Sequence, residues 1–394
     1  MMHTEFENRN KSWFHFRVQA AAAVPSLAGQ YIRFNMMNLN KHLKLFNQGM
    51  MPVVMINKPG QPLPNIMTEP ERWSRVNHVF PHQMNGEFIM SFWHKITHPD
   101  HDYYFSFSYP CSLRDQTEYL NQLERRYTNH SSIYFHRETL CLSVDKRPVE
   151  LVTISSKSGL AETEREPNFA HNMPPPLPTP VDEQDGQNRQ QNVTALKFSS
   201  KRVYVISSRV HPGETPASHV MRGCLEFLLR EGDKRASELR EKFIFKIIPI
   251  INPDGVVRGH YRTDARGQNL NRHYSNPSPT LQPQCHAYRQ MIAHFADAYK
   301  TDESGAPNLS VQEQDDVVET NNSGVAFMLD LHAHAAKRGC FLYGNRLKQS
   351  RHHAEMLLYA RLTSANSAFM DFDACCFSQR NMTLKEKRDE NLSK

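Results

Sequence analysis

From Ser12 to Pro110 the chain alternates aromatic or aliphatic residues with polar ones in four stretches, SWFHFRV, YIRFNMMNL, GEFIMSFWHKI and DYYFSFSYP, with Pro, Gly, Asn or Asp between them. Period-two alternation bounded by turn residues predicts short antiparallel strands, and several in succession predict a small β-sandwich over residues 1–111. The first strand begins already near Ser12, so an edge strand is expected to be missing. Trp13, Trp73 and Trp93 are expected to pack in a core or between domains rather than to form a ligand platform. After Pro110 the period becomes helical: Leu113, Tyr119, Leu120, Leu123 and Tyr127 share a face, with Ser112 as N-cap and Asp115 completing a capping box. LCLSVD and VELVTISS then predict strands. Val203–Ile206 predicts a buried strand followed by a helix carrying Val220, Cys224, Leu225 and Leu228. The nearly continuous apolar run Phe243–Ile251 fits a central parallel strand buried on both faces. A helix over Cys285–Tyr299 and a strand in VAFMLDLHAH follow. Strands alternating with helices predict a doubly wound α/β/α domain over residues 112–394. Two polar inserts, 157–193 and 301–322, interrupt it; the first is Pro-rich and is expected to be a long exposed loop or disordered. Asn381–Lys394 is charged and has no apolar period.

Composition narrows this picture. The 394 residues suffice for two domains, and the 39% hydrophobic content leaves room for long polar segments outside the core. A net charge of +6 and a pI near 8.9 suit an acidic partner. The charge is spread along the chain without a basic block, so nucleic-acid binding is not indicated. Seven cysteines without CxxC spacing and an N-terminus lacking the apolar stretch of a signal peptide predict reduced thiols in the cytosol. No segment approaches the roughly 18 apolar residues needed to span a membrane, and no membrane partner is expected.

The candidate chemistry sits at strand ends. His211-Pro212-Gly213-Glu214 follows the Val203–Ile206 strand, and its turn presents an imidazole and a carboxylate at the sheet edge where α/β proteins bind ligands. Such a pair can supply two of the three protein ligands of a catalytic zinc; alone, it fits a polar turn with a capping Glu better. Asn252-Pro253-Asp254-Gly255 is a turn after the central strand. Arg262 offers a fixed positive charge for a developing oxyanion. Arg272 offers a planar fork for a carboxylate, with Asn271 adding an amide donor. His332, in Asp330-Leu331-His332-Ala333-His334, could be the third ligand, oriented by Asp330 or by strand carbonyls. His334 lies on the same strand face and is an alternative.

Taken in order, His211-x-x-Glu214, Asn252-Pro-Asp-Gly, Arg262, Asn271-Arg272 and Asp330-x-His332 resemble the zinc carboxypeptidases, and within them the cytosolic carboxypeptidase branch. The SWFHF-to-FSYP region also resembles the β-sandwich that precedes the catalytic domain in that branch. The resemblance implies one zinc per chain held by His211, Glu214 and His332. It implies an oxyanion role for Arg262 and a clamp on the substrate's terminal carboxylate by Asn271 and Arg272. It further implies a deglutamylase removing C-terminal or branch-point glutamates from glutamylated tails, chiefly of tubulin, in the cytoplasm, with microtubule association and a nuclear pool left open.

The chain departs from the branch at Ala333, where Gly is usual. It also ends before the strand on which the family carries its general-base Glu, beyond the region matching Phe377–Arg388. Glu386, Asp389 and Glu390 lie in the charged tail, without the apolar flanks of a strand, and are not assigned that role. A chain truncated before the base, lacking the closing elements of the domain, is therefore expected. Two other readings stay open: a form that binds acidic tubulin tails without cleaving them, and a small-molecule zinc deacylase of the same fold.

Overall fold

A computed structural model describes residues 10–19, 27–169, 193–300, 323–334, 337–344 and 350–378. They fall into two units, one of residues up to Leu39 and Met51–Ala333, the other of Asn40–Met50 and the described residues from His334 on. The second unit holds two helices, α1 (Leu43–Asn47) and α7 (Ser350–Asn366).

The first unit opens with strands β1 (His15–Gln19), β2 (Tyr31–Met36), β3 (Val53–Asn57), β4 (Ser74–Arg75), β5 (Val79–Met84), β6 (Glu87–Lys95) and β7 (Asp102–Ser106). They form two antiparallel sheets, β1-β7-β3-β4 and β2-β6-β5. Alternation sends Phe34 and Phe92 from one sheet against Phe16 and Phe105 from the other, with Phe34 and Phe105 centroids 4.7 Å apart. The four predicted strands are β1, β2, β6 and β7. β3, β4 and β5 were not foreseen, and β5 contains Pro81, tolerated because it is an edge strand. Trp73 is buried as expected, but Trp93 is 41% exposed, its ring covered by the Arg33 guanidinium at 5.5 Å.

The helix α2 (Leu113–Tyr127) starts where the capping box places it: the Ser112 hydroxyl accepts from Asp115 N, and Ser112 N donates to Asp115 Oδ2 at 2.8 Å. Strands β8 (Ile133–Leu142) and β9 (Pro148–Ser156) form a hairpin. The segment Leu160–Arg165, expected within an exposed loop, is instead a strand, β10, paired antiparallel with β11 (Leu196–Phe198). Its mostly exposed side chains explain why its composition reads as loop. Residues 170–192 and 301–322 of the polar inserts, and 379–394, which include Glu386, Asp389 and Glu390, lie outside the described residues.

The central sheet runs β14-β12-β13-β9-β8, with β12 (Arg202–Ser208), β13 (Phe243–Ile248) and β14 (Val325–Leu331) mutually parallel and β9 antiparallel to β13. The central strand is thus parallel on one side only. It is buried on both faces: Phe245 and Ile247 join a core with Leu120 of α2 and with Met221 and Leu225 of α3 (Pro216–Leu228). Ile244 and Ile248 join the opposite core. A short helix, α4 (Lys234–Lys242), precedes β13, and α5 (Pro253–Arg258) follows it. The opposite core also receives Tyr288, Met291 and Phe295 from α6 (Pro283–Ala298). This is the α/β layering the alternating pattern predicts. One residue breaks the apolar run of β13: Lys246, 1% exposed, donates to Thr153 Oγ1 at 3.0 Å and lies 4.8 Å from the Phe295 ring.

Candidate metal centre

β12 pairs with β13 on one side and β14 on the other, so the sheet order switches at β12, and crevices form at the carboxyl ends of strands at such a point. All three strands deliver site residues there: His211 and Glu214 after β12, Asn252 after β13, His332 directly after β14. Register fixes the last of these, because Ser208 lies opposite Leu331.

His211 is 2% and Glu214 5% exposed, whereas the His332 side chain keeps 31% of its surface in solvent. The Glu214 carboxylate lies between the two imidazoles, with Oε1 2.9 Å from His211 Nδ1 and Oε2 2.9 Å from His332 Nδ1. Ligand atoms from these three residues all lie within 4.8 Å of one another, and His334 is not part of the cluster. The outer nitrogens meet acceptors: His211 Nε2 is 3.0 Å from Asn269 Oδ1, and His332 Nε2 is 2.7 Å from Asp330 Oδ2. Asp330 Oδ1 in turn accepts from Ser207 Oγ at 2.8 Å. With a proton on each outer nitrogen, both Nδ1 lone pairs and the carboxylate converge on one point. Three acceptors so arranged suit a divalent cation, and two imidazoles with one carboxylate are a zinc donor set.

Electrostatics agree with that geometry. Burial lowers the His211 pKa against the opposing pull of Glu214, which favours the neutral, ligating imidazole. Burial would raise the Glu214 pKa, but His211 and His332 hold it far below the usual carboxylate range. Without a cation, His332 takes up the role of counter-charge: desolvation lowers its pKa, yet hydrogen bonds to Asp330 and Glu214 outweigh this and raise it to about 10.

Two glycines bring the pieces together. A Cβ on Gly213 would meet Tyr261 Cδ2 at 2.5 Å and its carbonyl oxygen at 2.9 Å; one on Gly255 would meet Pro212 Cγ at 2.5 Å and the Thr263 carbonyl oxygen at 2.6 Å. The turn carrying His211 and Glu214, the start of α5 and the irregular segment 261–263 therefore pack closely, which holds Arg262 Nη1 3.5 Å from Glu214 Oε1. The Asn252-Pro-Asp-Gly turn is the N-terminus of α5: Asn252 Oδ1 accepts from Gly255 N at 2.9 Å, and its Nδ2 donates to the Val210 carbonyl at 3.2 Å. Asp254, fully buried, accepts from Ser143 Oγ at 2.6 Å, Asp145 N at 3.0 Å and Arg147 Nη1 at 2.9 Å. Asn271 and Arg272 occupy a single 3-10 turn, Leu270–Arg272, where Arg272 Nη1 donates to the Asn271 carbonyl at 3.0 Å.

Sequence reasoning missed Asn269 as the partner of His211. Its place two residues before Asn271 was the available signal, but the contact spans 58 residues and has no local signature.

Fold and site together define a class. Residues 117–370 match the zinc carboxypeptidase family, and the chain belongs to that family. Within it, the chain is 37% identical over 457 positions to cytosolic carboxypeptidase-like protein 5 of Homo sapiens, covering 98% of this chain and 48% of the relative. Cytosolic carboxypeptidase 6 of Mus musculus is 28% identical over 378 positions, covering 94% and 55%. The chain spans about half the length of the curated relatives it matches. Among solved structures, a metallo-carboxypeptidase from Burkholderia cenocepacia superposes with a TM-score of 0.60 at 18% identity, over 94% of this chain and 76% of that one. A metallo-carboxypeptidase from Pseudomonas aeruginosa, in complex with (2-guanidinoethylmercapto)succinic acid, gives 0.58 at 20% identity, over 92% and 72%. At those identities the fold is what is shared.

Proposed function

We propose that this chain carries the zinc-binding and substrate-binding residues of a metallocarboxypeptidase that removes glutamates from glutamylated protein tails, such as those of tubulin, in the cytoplasm. The carrying observation is the convergence of one ligand atom from each of His211, Glu214 and His332 within 4.8 Å of one another. These three would hold one zinc, which supplies an activated water and a Lewis acid when bound. With zinc bound, Asn269 and Asp330 would accept the imidazole protons of the outer nitrogens and so leave both inner lone pairs to the metal. Arg262 would hold negative charge developing on a carbonyl oxygen, a role supported by its fixed cation 3.5 Å from Glu214 Oε1. Arg272 and Asn271 supply the donors for a terminal carboxylate. A surplus of positive charge, +6 overall, favours acidic tails.

The test is zinc stoichiometry and glutamate release from a branched, glutamate-tailed tubulin peptide. One zinc per chain, lost in both His211→Ala and His332→Ala, with chelator-sensitive release, is the expected result. Full metal retention in both variants would refute the assignment.

One observation favours a second reading, tail binding without cleavage. Among the described residues, the carboxylates that touch the two imidazoles are Glu214 and Asp330, and Asp330 is already engaged by His332 and Ser207. Both carboxylates are thus engaged in holding the site, so cleavage needs a further carboxylate as base, whereas holding an acidic tail needs only the metal and the arginines. Tight binding of the peptide that falls in Arg272→Ala, with no glutamate released, would select this reading.

A further inference from the structure

Two residues before the first zinc-type ligand stands Arg209, whose backbone is left-handed (φ 57°) and whose side chain is buried at 2% exposure. A non-glycine residue rarely adopts that conformation, and a buried guanidinium needs strong acceptors to offset lost hydration. Its acceptors are specific. Nε donates to the Pro212 carbonyl at 2.9 Å and Nη2 to the same oxygen at 2.5 Å. Nη1 donates to Ser218 Oγ at 2.7 Å, on α3, and to the Cys111 carbonyl at 3.2 Å, one residue before the N-cap of α2.

The Pro212 carbonyl belongs to the peptide that separates His211 from Glu214. The other end of that peptide, Gly213 N–H, donates to the Tyr261 carbonyl at 2.8 Å. One peptide plane, between two residues of the metal cluster, is thus held at its oxygen by Arg209 and at its nitrogen by Tyr261. Rotation of this plane would swing the Glu214 carboxylate relative to His211.

We infer that Arg209 is a positioning residue for the metal centre: its guanidinium clamps the Pro212–Gly213 peptide and anchors it to the starts of α2 and α3. The inference rests on the zinc reading above. A lysine would keep the charge but not the paired donors, since an ammonium is a single point of donation on a flexible stem.

The experiment measures the zinc dissociation constant of the full chain by competition with a chromogenic chelator, together with the visible spectrum of the cobalt(II)-substituted form. Arg209→Lys is compared with Arg240→Lys. Arg240 is a second buried arginine, 4% exposed; it holds the Leu228 and Arg230 carbonyls and lies near the end of α4, three residues before β13 begins, at the opposite end of that strand from the site. Loss of a supporting partner typically weakens metal binding about 10–100-fold, and that range, with an altered cobalt spectrum, is expected for Arg209→Lys alone. Arg240→Lys is expected to lower stability and leave zinc affinity within about threefold, well short of that range. Unchanged affinity in Arg209→Lys, or an equal loss in Arg240→Lys, overturns the clamp. If Arg209→Lys does not fold, Ser218→Ala removes one lateral anchor of the guanidinium; weaker zinc binding supports the inference and wild-type affinity refutes it. His211→Ala run in parallel separates the two levels: zinc binding by that variant as tight as wild type would sink the site assignment, and the clamp with it.

Discussion

Gly255→Ala tests whether the site is assembled by close backbone packing. The added Cβ would stand 2.5 Å from Pro212 Cγ and 2.6 Å from the Thr263 carbonyl oxygen, about 1 Å inside ordinary contact. Neither neighbour is the free end of a flexible side chain, so the start of α5 must move away from the turn that carries His211 and Glu214. Overpacking of this kind costs about 1–3 kcal/mol. Alanine recovers about 0.4–1 kcal/mol by restricting the unfolded chain. Movement of α5 also stretches the Asn252 Nδ2 to Val210 carbonyl bond, 3.2 Å in the intact protein, worth about 1 kcal/mol. The net expectation is a loss of about 2 kcal/mol, with weaker zinc binding. Gly223→Ala is the internal control: it lies in α3 with nothing within 4 Å of the new Cβ, and should gain roughly 0.5–1 kcal/mol. Urea unfolding followed by circular dichroism reads both, provided the slopes are unchanged. If Gly255→Ala unfolds at the wild-type midpoint, close packing at this glycine does not hold the site together.

Other perturbations reach different parts of the molecule. Burial pushes the Glu166 carboxyl up, but the hydrogen bond with His294, the charge of Lys246 and the Tyr299 hydroxyl outweigh it and depress the pKa. A depressed carboxylate contributes stability above its unfolded value, about 4.3, and loses it as pH falls through the folded value; Glu166→Gln should therefore show a shallower loss of stability below about pH 5, and parallel pH profiles would contradict this. Zinc at about 100 times its dissociation constant should stabilise the chain by about 2.7 kcal/mol, read as a shift in the urea midpoint that His211→Ala abolishes; an equal shift in the variant would place the metal elsewhere. Asp254→Ala removes the acceptor of Ser143, Asp145 N–H and Arg147 and should cost about 3 kcal/mol, with Asp254→Asn milder; a loss under about 1 kcal/mol would deny it a structural role.

The sheet and its helices were legible wherever burial imposed a single period. β13 reads directly from Phe243–Ile248 because both its faces meet helices, and α2 reads from its apolar face and its capping box. β3 and β5 were not legible for opposite reasons. The Val53–Asn57 strand is almost wholly buried and too short to distinguish from any apolar run. The Val79–Met84 strand carries Pro81 and exposed Phe80, features that argue against a strand until its edge position is known. Val220, counted on the apolar face of α3, is 46% exposed, and Met221 faces the core instead.

The site divides along the same line. His211, Glu214 and His332 were legible because each lies at or shortly after the end of an apolar strand, so local pattern alone places it at that end of the sheet. Their supports lie elsewhere in the chain. Asn269 reaches His211 across 58 residues, Arg209 reaches the Cys111 carbonyl across 98, and Asp254 reaches Ser143 across 111. No periodicity encodes such a contact, since the residue types involved are common in turns and on surfaces and acquire a role only when the strands are aligned. Arg209 shows this most sharply. From sequence it is one more polar residue after a strand. In the fold it is a buried cation in a left-handed conformation, with two of its donors on the peptide between His211 and Glu214. The ligands of such a site can be read from a chain; the rigidity that makes them a site is a property of the folded contacts.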